Sequence, residues 1–327
     1  MKFKATVRDQ RTLAGLCHAC RGIEKRGVLR LHHARTRLFA IAPLADGSQV
    51  WAGCRTQTIF ADFHAQSQHP DNAICCEVAD LARLLQVLRQ AERCPNVSIK
   101  LTKNAAKRPA LRVSMQGVLR HLDISHDVPV RVLSETEVQN ISAPPLEDEV
   151  MQVILPSLTE LMLFVDKVRS TSCERMTFTA QANLQSNGAT VSTHSPPTCS
   201  LVIDAECFLG NFALKYNSVR LCESEEEDNN NEDEEDTEGD DDGQDGDRNS
   251  NNNSNKRKKR RRDNDDDVAM QQATVTVEVK RFARFLAIKE ITPLQVVLHL
   301  VDGKALVLSV SASGGTTLVG YMPAVVH

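Results

Sequence analysis

The hydrophobic pattern of this chain repeats one order of predicted elements four times: a strand, then a helix, then a run of strands. Alternating apolar and polar residues predict the strands, and apolar residues three or four positions apart predict the helices. A proline-bearing linker at residues 134–149 separates the second unit from the third. Few folds combine four such units, so this internal repeat limits the possible architecture more than any other feature of the sequence.

The first half of the chain contains two of these units. Thr12 is predicted to be the N-cap of the first helix, because its hydroxyl can accept a hydrogen bond from a free amide of the first turn. The first unit is predicted to comprise a strand at Lys2–Val7, a helix from Thr12 to Lys25, and strands at Val28–Leu31, Leu38–Ile41 and Val50–Cys54. The second is predicted to comprise a strand at Ile74–Val78, a helix at Ala79–Arg93, and strands at Val97–Leu101, Leu111–Met115, Leu119–Ser125 and Val128–Val132.

The second half repeats the order, with Pro156 expected in the first turn of its first helix. The third unit is predicted to comprise a strand at Val150–Ile154, a helix to Arg169, and strands at Met176–Ala182, Ala189–Thr193 and Leu201–Ile203. The fourth is predicted to comprise a strand at Thr274–Val279, a helix at Lys280–Lys289, and strands at Leu294–Leu300, Ala305–Val310 and Thr317–Met322. We therefore expect an α+β fold with two similar domains, residues 1–133 and 150–327, built on antiparallel sheets.

An acidic segment at residues 223–267 interrupts the second domain. It holds 20 Asp or Glu and 8 Lys or Arg, whereas the other 282 residues hold 23 and 31, so the net charges are −12 and +8. Its acidic part, residues 223–247, has no apolar side chain that could offset the entropy of ordering, and we predict that it is disordered. The slightly acidic whole chain thus contains a basic folded part, and a polyanionic partner is plausible.

The same segment contains a run of seven consecutive cations. Such runs are typical of nuclear import signals, although a solvated run that balances the neighbouring acids is the alternative. We predict nuclear localisation from this run, which comprises Lys256, Arg257, Lys258, Lys259, Arg260, Arg261 and Arg262.

The four predicted helices carry basic residues on the side opposite their apolar stripe. In the first helix, for example, Leu13 and Leu16 lie opposite Arg21 on a helical wheel. The third helix is weaker because Lys167 shares its side with Glu160, whereas the solvated sides of the other three are expected to lack acidic partners. For any single helix, ordinary solvation of surface Lys and Arg is the competing explanation. The predicted phosphate-contacting residues are Arg11, Arg21, Lys25, Arg83, Arg93, Lys167, Lys280 and Arg284.

Contacts of Lys and Arg with phosphates carry no base recognition, so they predict salt-sensitive binding of double-stranded DNA without sequence specificity. Aromatic residues make up only 4% of the chain, which argues against a platform on which single-stranded bases stack.

No motif predicts an enzyme, a cofactor or a metal site. Cys17 and Cys20 are spaced as metal ligands can be, but they fall on the apolar stripe of the first helix and no second pair has the required spacing. His121 and His126 lie in the strand region that ends the first half of the chain, where a structural role is expected. No apolar run reaches the roughly 20 residues that a membrane span needs, and Met1–Gln10 has no signal-peptide pattern. We therefore expect a soluble intracellular protein with reduced thiols.

Several strings resemble one known family. They are Met1–Ala5, Leu101–Thr102 with Leu111–Ser114, His126–Val132, Ile154–Pro156 and Gly320–Ala324. Together these strings resemble the Hus-one subunits of the checkpoint, or nine-one-one, clamp, which are related to the PCNA sliding clamp. The resemblance covers both halves of the chain but not the acidic segment.

The resemblance implies a DNA-clamp fold in which the helices line a ring and the sheets lie outside. It implies a non-enzymatic subunit that assembles with two different sister subunits into a heterotrimer. A dedicated clamp loader would place this ring on DNA at damage or stalled forks, where it would support checkpoint signalling and recruit repair and checkpoint proteins. Two alternatives are a homotrimeric replication clamp and an acidic nuclear scaffold or chaperone that uses residues 223–247.

Overall fold

The computed structural model describes residues 1–69, 71–117, 123–145, 151–183, 197–222 and 272–325. The helices are α1 (Gln10–Ile23), α2 (Thr56–Ile59), α3 (Leu81–Ala91), α4 (Glu135–Gln139), α5 (Leu158–Ser170) and α6 (Val279–Phe285), and a 3-10 helix at Leu286–Ile291 continues α6. The strands are β1 (Lys2–Val7), β2 (Gly27–Leu31), β3 (Arg35–Ile41), β4 (Gln49–Arg55), β5 (Phe60–Gln66), β6 (Ile74–Val78), β7 (Asn96–Lys103), β8 (Pro109–Gln116), β9 (Asp123–Val132), β10 (Met151–Ile154), β11 (Arg175–Ala182), β12 (Thr198–Cys207), β13 (Gly210–Arg220), β14 (Gln272–Glu278), β15 (Pro293–Val301), β16 (Ala305–Ala312) and β17 (Thr316–Pro323).

The strands form two antiparallel sheets. The larger has the order β10-β15-β16-β17-β4-β3-β2-β6-β9-β8-β7-β1-β5, and the smaller has the order β13-β12-β11-β14. The first half of the chain joins the second through β17 and β4, whose register pairs Thr317 with Gly53 and Tyr321 with Gln49. An isolated bridge between Val153 and Leu221 links the two sheets.

The predicted repeat of strand, helix and strands is present in all four units. The first unit contains an additional short helix, α2, and an additional strand, β5, which the sequence analysis did not predict. Strand β13 was also missed, and it completes the third unit. The two strands predicted at Leu119–Ser125 and Val128–Val132 form one strand from Asp123 onward, and residues 119–122 and the predicted strand at Ala189–Thr193 lie outside the described residues.

Three predicted boundaries differ from the structure. Asp9, not Thr12, is the N-cap of α1, because its carboxylate accepts hydrogen bonds from the backbone amide and the hydroxyl of Thr12 at 2.9 and 2.6 Å. Ser157 caps α5, so Pro156 precedes this helix instead of lying in its first turn. The fourth helix changes to 3-10 geometry at Leu286. The predicted division into domains at residues 133 and 150 stays a prediction.

Helix α1 lies at the centre of the helix layer. It contacts α3 on one side and α6 with its 3-10 extension on the other, and α5 contacts α6. Small residues allow this close approach: a Cβ atom on Gly22 would lie 3.0 Å from the carbonyl oxygen of Arg284, and one on Gly15 would lie 2.8 Å from Ile291. Four helices thus share one layer, packed on the apolar faces of the sheets. None of the helices in the described ranges has the length and hydrophobicity that crossing a membrane requires.

Candidate nucleic-acid interface

The outer side of the helix layer carries the predicted phosphate-contacting cations. The periodicity of each helix explains this placement, because the apolar stripe turns inward and leaves the cations in solvent. In α1, Leu13, Leu16, Cys17, Cys20 and Ile23 are buried as predicted. All eight predicted residues are exposed: Arg11, Arg21, Lys25, Arg83, Arg93, Lys167, Lys280 and Arg284.

A groove of about 770 Å³ between α1 and α3 brings several of these cations together. Arg21 contributes from α1, and Arg83 contributes from the first turn of α3. Arg83 is oriented by hydrogen bonds from its guanidinium to Gln86 Oε1 at 3.0 Å and to His126 Nδ1 at 3.5 Å. The remaining polar lining comprises Asp80, Gln86, Arg89, Gln90 and Arg93. The groove therefore has four guanidinium groups and one carboxylate.

A smaller hollow of about 250 Å³ lies between α5 and α6 and is also basic. Arg169, Lys280, Ala283 and Arg284 line it. Arg169 was not among the predicted phosphate-contacting residues. A signal was present, since Arg169 lies in the last turn of α5, where a cation complements the helix dipole.

Acidic partners from distant segments neutralise part of this surface. Arg89 donates two hydrogen bonds to the carboxylate of Glu290 at 3.0 and 3.1 Å. Arg284 lies 3.4 Å from Asp46, and Lys25 lies 3.9 Å from Asp80. The prediction that the solvated sides of three helices lack acidic partners is therefore wrong. A helical wheel compares residues of one helix only, whereas Asp46 and Glu290 come from other segments of the chain.

The Asp46 carboxylate lies beside two arginines of α6. Burial alone would raise the pKa of this carboxyl group, but hydrogen bonds from Ser48 and the charges of Arg281 and Arg284 outweigh burial and lower it. Arg281 lies 3.7 Å from Asp46 and 3.1 Å from Glu278, so two of the three cations of α6 are already paired. Lys280, on the same helix, is exposed and lines the hollow next to α5.

Helix α5 presents a mixed surface, as its sequence predicts. Glu160 and Asp166 are exposed on this helix together with Lys167. The ammonium group of Lys167 lies 6.0 Å from the ring centre of Phe212 on β13. Cations therefore dominate the layer around α1, α3 and α6 more than around α5.

The remaining candidate residues lie outside this interface or outside the described part of the chain. Cys17 and Cys20 are buried and donate weak hydrogen bonds to the carbonyls of Leu81 and Leu38, both at 3.4 Å. Burial raises the pKa of Cys17 to about 12. The described ranges contain no cluster of three or more His, Cys, Asp or Glu side chains suited to a metal ion. The basic run from Lys256 to Arg262 and His121 lie outside the described residues.

Comparison with known proteins links this arrangement to one family. A family model described as Hus1-like protein matches residues 1–326. Checkpoint protein hus1 of Schizosaccharomyces pombe is 33% identical over 175 residues, which are 53% of this chain and 60% of that protein. Checkpoint protein HUS1 of Homo sapiens is 22% identical over 179 residues, which are 53% of this chain and 63% of that protein. The chain thus matches less than two thirds of the length of these relatives.

Solved structures of similar fold include two PCNA proteins. PCNA from Entamoeba histolytica has a TM-score of 0.61 at 10% identity, with 99% of both chains covered. PCNA from Thermococcus kodakaraensis has a TM-score of 0.59 at 15% identity, with 98% of this chain and 99% of that chain covered. These likenesses concern the fold alone, and they confirm the predicted α+β clamp architecture.

Proposed function

This chain belongs to the Hus1-like family, and we propose that it is a non-enzymatic subunit of a checkpoint clamp that encircles double-stranded DNA. The ring is a heterotrimer completed by two different sister subunits. A dedicated loader places it at DNA damage or stalled forks, where it supports checkpoint signalling and recruits repair enzymes. It acts in the nucleus.

The observation that carries this proposal is the single layer of four helices with exposed cations on its outer side. Arg21 and Arg83 line one groove, and Arg169 and Lys280 line the neighbouring hollow, so positive charge extends across several elements. These side chains can contact phosphates but do not form a pocket that could read a base edge, which suits binding without sequence specificity. A ring that is linked topologically to the duplex does not need tight contacts to remain on it.

Two strands supply the edges that neighbouring subunits need. Strand β13 lies at the edge of the smaller sheet, and Phe208 and Leu209 are exposed in the turn before it. Strand β9 pairs with β8 from Asp123 to Pro129 and with β6 from Val130 to Val132, so much of its edge opposite β8 remains open within the described ranges. Unpaired strand edges readily add a strand from another chain. We assign these edges to the contacts with the sister subunits.

The number and identity of the subunits test this proposal. We expect the purified chain to be monomeric by size-exclusion chromatography with light scattering. A native pull-down followed by mass spectrometry is expected to recover two different clamp-like chains. A stable homotrimer formed by this chain alone would contradict the heterotrimer and would favour the homotrimeric replication clamp.

Deletion of residues 223–267 distinguishes the proposed clamp function from the alternative function as an acidic scaffold. We expect the shortened chain to retain both sister subunits in the pull-down, because β1–β17 and α1–α6 all lie outside the deletion. Loss of the basic run at Lys256–Arg262 should reduce nuclear accumulation, and a foreign import signal should restore it. A rescued variant that enters the nucleus but loses damage-site recruitment would instead support a scaffold function.

A further inference from the structure

Cys173 and Cys207 are remote in sequence, but the antiparallel pairing of β11 and β12 brings them to the same end of the smaller sheet. The register pairs Thr177 with Asp204. Continuing this register brings the residues just before β11 alongside the end of β12, where Cys207 lies. Cys173 precedes β11 by two residues, so its side chain reaches the same end of the sheet.

The hydroxyl of Thr171 connects the two thiols. Thr171 Oγ1 lies 3.5 Å from Cys173 Sγ and 3.9 Å from Cys207 Sγ. The same hydroxyl donates a hydrogen bond of 2.7 Å to the carbonyl of Val168 at the end of α5. Both sulfur atoms are thus held around one fixed polar group, in a turn that follows the helix.

The two thiols differ in exposure and in acidity. Cys173 is only 3% exposed, and burial raises the pKa of its thiol. Cys207 is half-buried, and a hydrogen bond from the Cys173 thiol is the main cause that lowers its pKa. Backbone groups of Leu209 and Gly210 lower the pKa of Cys207 further. The Cys173 thiol first, and then the turn between β12 and β13, thus lower the pKa of Cys207.

Seven of the eight other cysteines lack this combination. Burial raises the pKa of the thiols at Cys17, Cys20, Cys54, Cys75, Cys76 and Cys199. Cys94 is half-buried, as Cys207 is, but its sulfur contacts the carbonyl of Gln90 at 3.9 Å instead of a second thiol. An accessible, acidic thiol beside a second thiol is the arrangement that peroxide-sensitive cysteines use.

We propose that Cys207 and Cys173 form a peroxide-sensitive thiol pair, in which Cys207 is oxidised first and Cys173 then closes a disulfide. The Cys207 thiolate attacks one oxygen of hydrogen peroxide, the O–O bond breaks, and the departing hydroxide takes up a proton to give water. Cys207 is then a sulfenic acid. The Cys173 thiol gives up its proton as its sulfur attacks the sulfur of Cys207, the S–O bond breaks, and the departing hydroxide takes up that proton and leaves as a second water. One peroxide is reduced to two waters while the two thiols become one disulfide.

This disulfide would tie the turn after α5 to the hairpin formed by β12 and β13. Phe208 and Leu209 lie in the turn of that hairpin and are among the most exposed large apolar residues in the described ranges. Oxidation would therefore restrain the hairpin turn that presents Phe208 and Leu209. Thiol reductants would remove this restraint by reducing the disulfide.

Non-reducing peptide mapping of the full-length chain tests this proposal. After mild treatment with hydrogen peroxide at pH 7, we expect a linked peptide pair that contains Cys173 and Cys207, and loss of both thiols from alkylation. Dithiothreitol should restore both. In Cys173→Ser, the sulfenic acid at Cys207 should persist and react with dimedone, whereas Cys207→Ser should leave Cys173 reduced.

Cys94→Ser is the matched control, because it removes a thiol of similar exposure that has no thiol neighbour. This variant should form the Cys173–Cys207 link as the parent does. Because the mapping of the parent chain needs no substitution, a variant that fails to fold would not affect the main result. Equal oxidation of Cys94 and Cys207, or oxidation of Cys207 without any link to Cys173, would overturn the proposal.

Discussion

Gly320 on β17 lies directly against the ring of Phe285, and this close approach explains a glycine within one of the family-like strings. A Cβ atom at residue 320 would lie 2.4 Å from Cδ1 and 2.5 Å from Cε1 of Phe285. Phe285 is 1% exposed, so its ring has little room to move. The absence of a side chain at this position therefore lets the end of α6 pack against the last strand.

We expect Gly320→Ala to lower the free energy of unfolding by about 1–3 kcal/mol, because overpacking displaces a buried ring. Urea denaturation of the purified chain measures this difference. Adding Phe285→Leu should recover part of the loss by making space. Gly53→Ala is the matched control on the neighbouring strand, since its new Cβ would lie no closer than 3.3 Å to Arg37 Cγ and 3.4 Å to the carbonyl oxygen of Thr36. Equal losses in the two glycine variants would show that the Phe285 ring is not the cause.

Single residues also mark the limit of prediction from sequence. The burial of Leu13, Leu16 and Cys20 follows from helical periodicity and could be predicted. The pairing of Arg284 with Asp46 and of Arg89 with Glu290 could not, because the partners are 238 and 201 positions apart in the chain. The exposure of these cations could thus be predicted from the sequence. Which of them pair with a carboxylate could be read only from the fold.

Among the elements, α4 is a short helix that depends on one carboxylate. Ser134 and Glu137 form a capping box, and the guanidinium of Arg131 also contacts Glu137. The backbone amide of Ser134, the Arg131 side chain and the Ser134 hydroxyl lower the pKa of Glu137 from 4.5 to about 2. Since the pKa is lowered in the folded state, this support is complete above pH 4.5 and is lost as the pH falls towards 2.

We predict that the amide resonance of Glu137, measured by NMR across this pH range, follows the titration of its own carboxylate. In Glu137→Gln the side chain still accepts hydrogen bonds but carries no charge, so the low-pH change should disappear. Glu135→Gln, in the first turn of the same helix, should titrate as the parent does. A low-pH transition that persists in Glu137→Gln would assign it to another group.

The two missed strands show different causes. In β13, Phe212, Leu214 and Tyr216 alternate with exposed residues that are polar except for Ala213, so the ordinary strand signal was present. In β5, Asp62 has a φ of 49° and the register of β5 against β1 shifts between Lys4 and Thr6. This irregularity places Phe60 and Phe63 three positions apart and hides the alternation. Such a bulge is recognised from the pairing of the two strands and not from the hydrophobic pattern of the sequence.

We predict that the cations on the outer side of the helix layer contact DNA. We expect the triple variant Arg83→Glu, Arg93→Glu and Lys280→Glu, assembled with the proposed sister subunits, to bind duplex DNA more weakly. The slope of log affinity against log salt should fall by about 0.9 for each phosphate that the variant no longer neutralises. A filter-binding or fluorescence-anisotropy series over salt concentration measures both quantities.

The matched control reverses three cations on the opposite face of the sheet. Lys2, Lys4 and Lys100 are exposed, whereas Phe3, Ala5 and Ile99, which alternate with them, are buried. Because the net charge changes equally, long-range electrostatics affect the two triple variants alike. An equal loss of salt dependence in the control would mean that overall charge, and not the helix layer, governs binding.

For the whole molecule, the formal charge of −4 is a poor guide to its surface. Residues 223–267 carry −12, and the rest of the chain carries +8. Exposed cations on the helices contribute to this positive charge, and Asp46 and Glu290 offset part of it. A clamp that encloses DNA needs this distribution only on its inner side, because enclosure itself prevents dissociation.

Retention on circular and linear DNA tests the proposed enclosure most directly. The chain, isolated with the proposed sister subunits, would be loaded onto a nicked plasmid in extract with ATP, and the plasmid would then be washed at high salt and cut once. We predict that the complex stays on the circle through the salt wash and leaves after linearisation, because it can slide off a free end. Equal retention on circular and linear plasmid, or complete loss from the circle at high salt, would contradict a ring that encircles DNA.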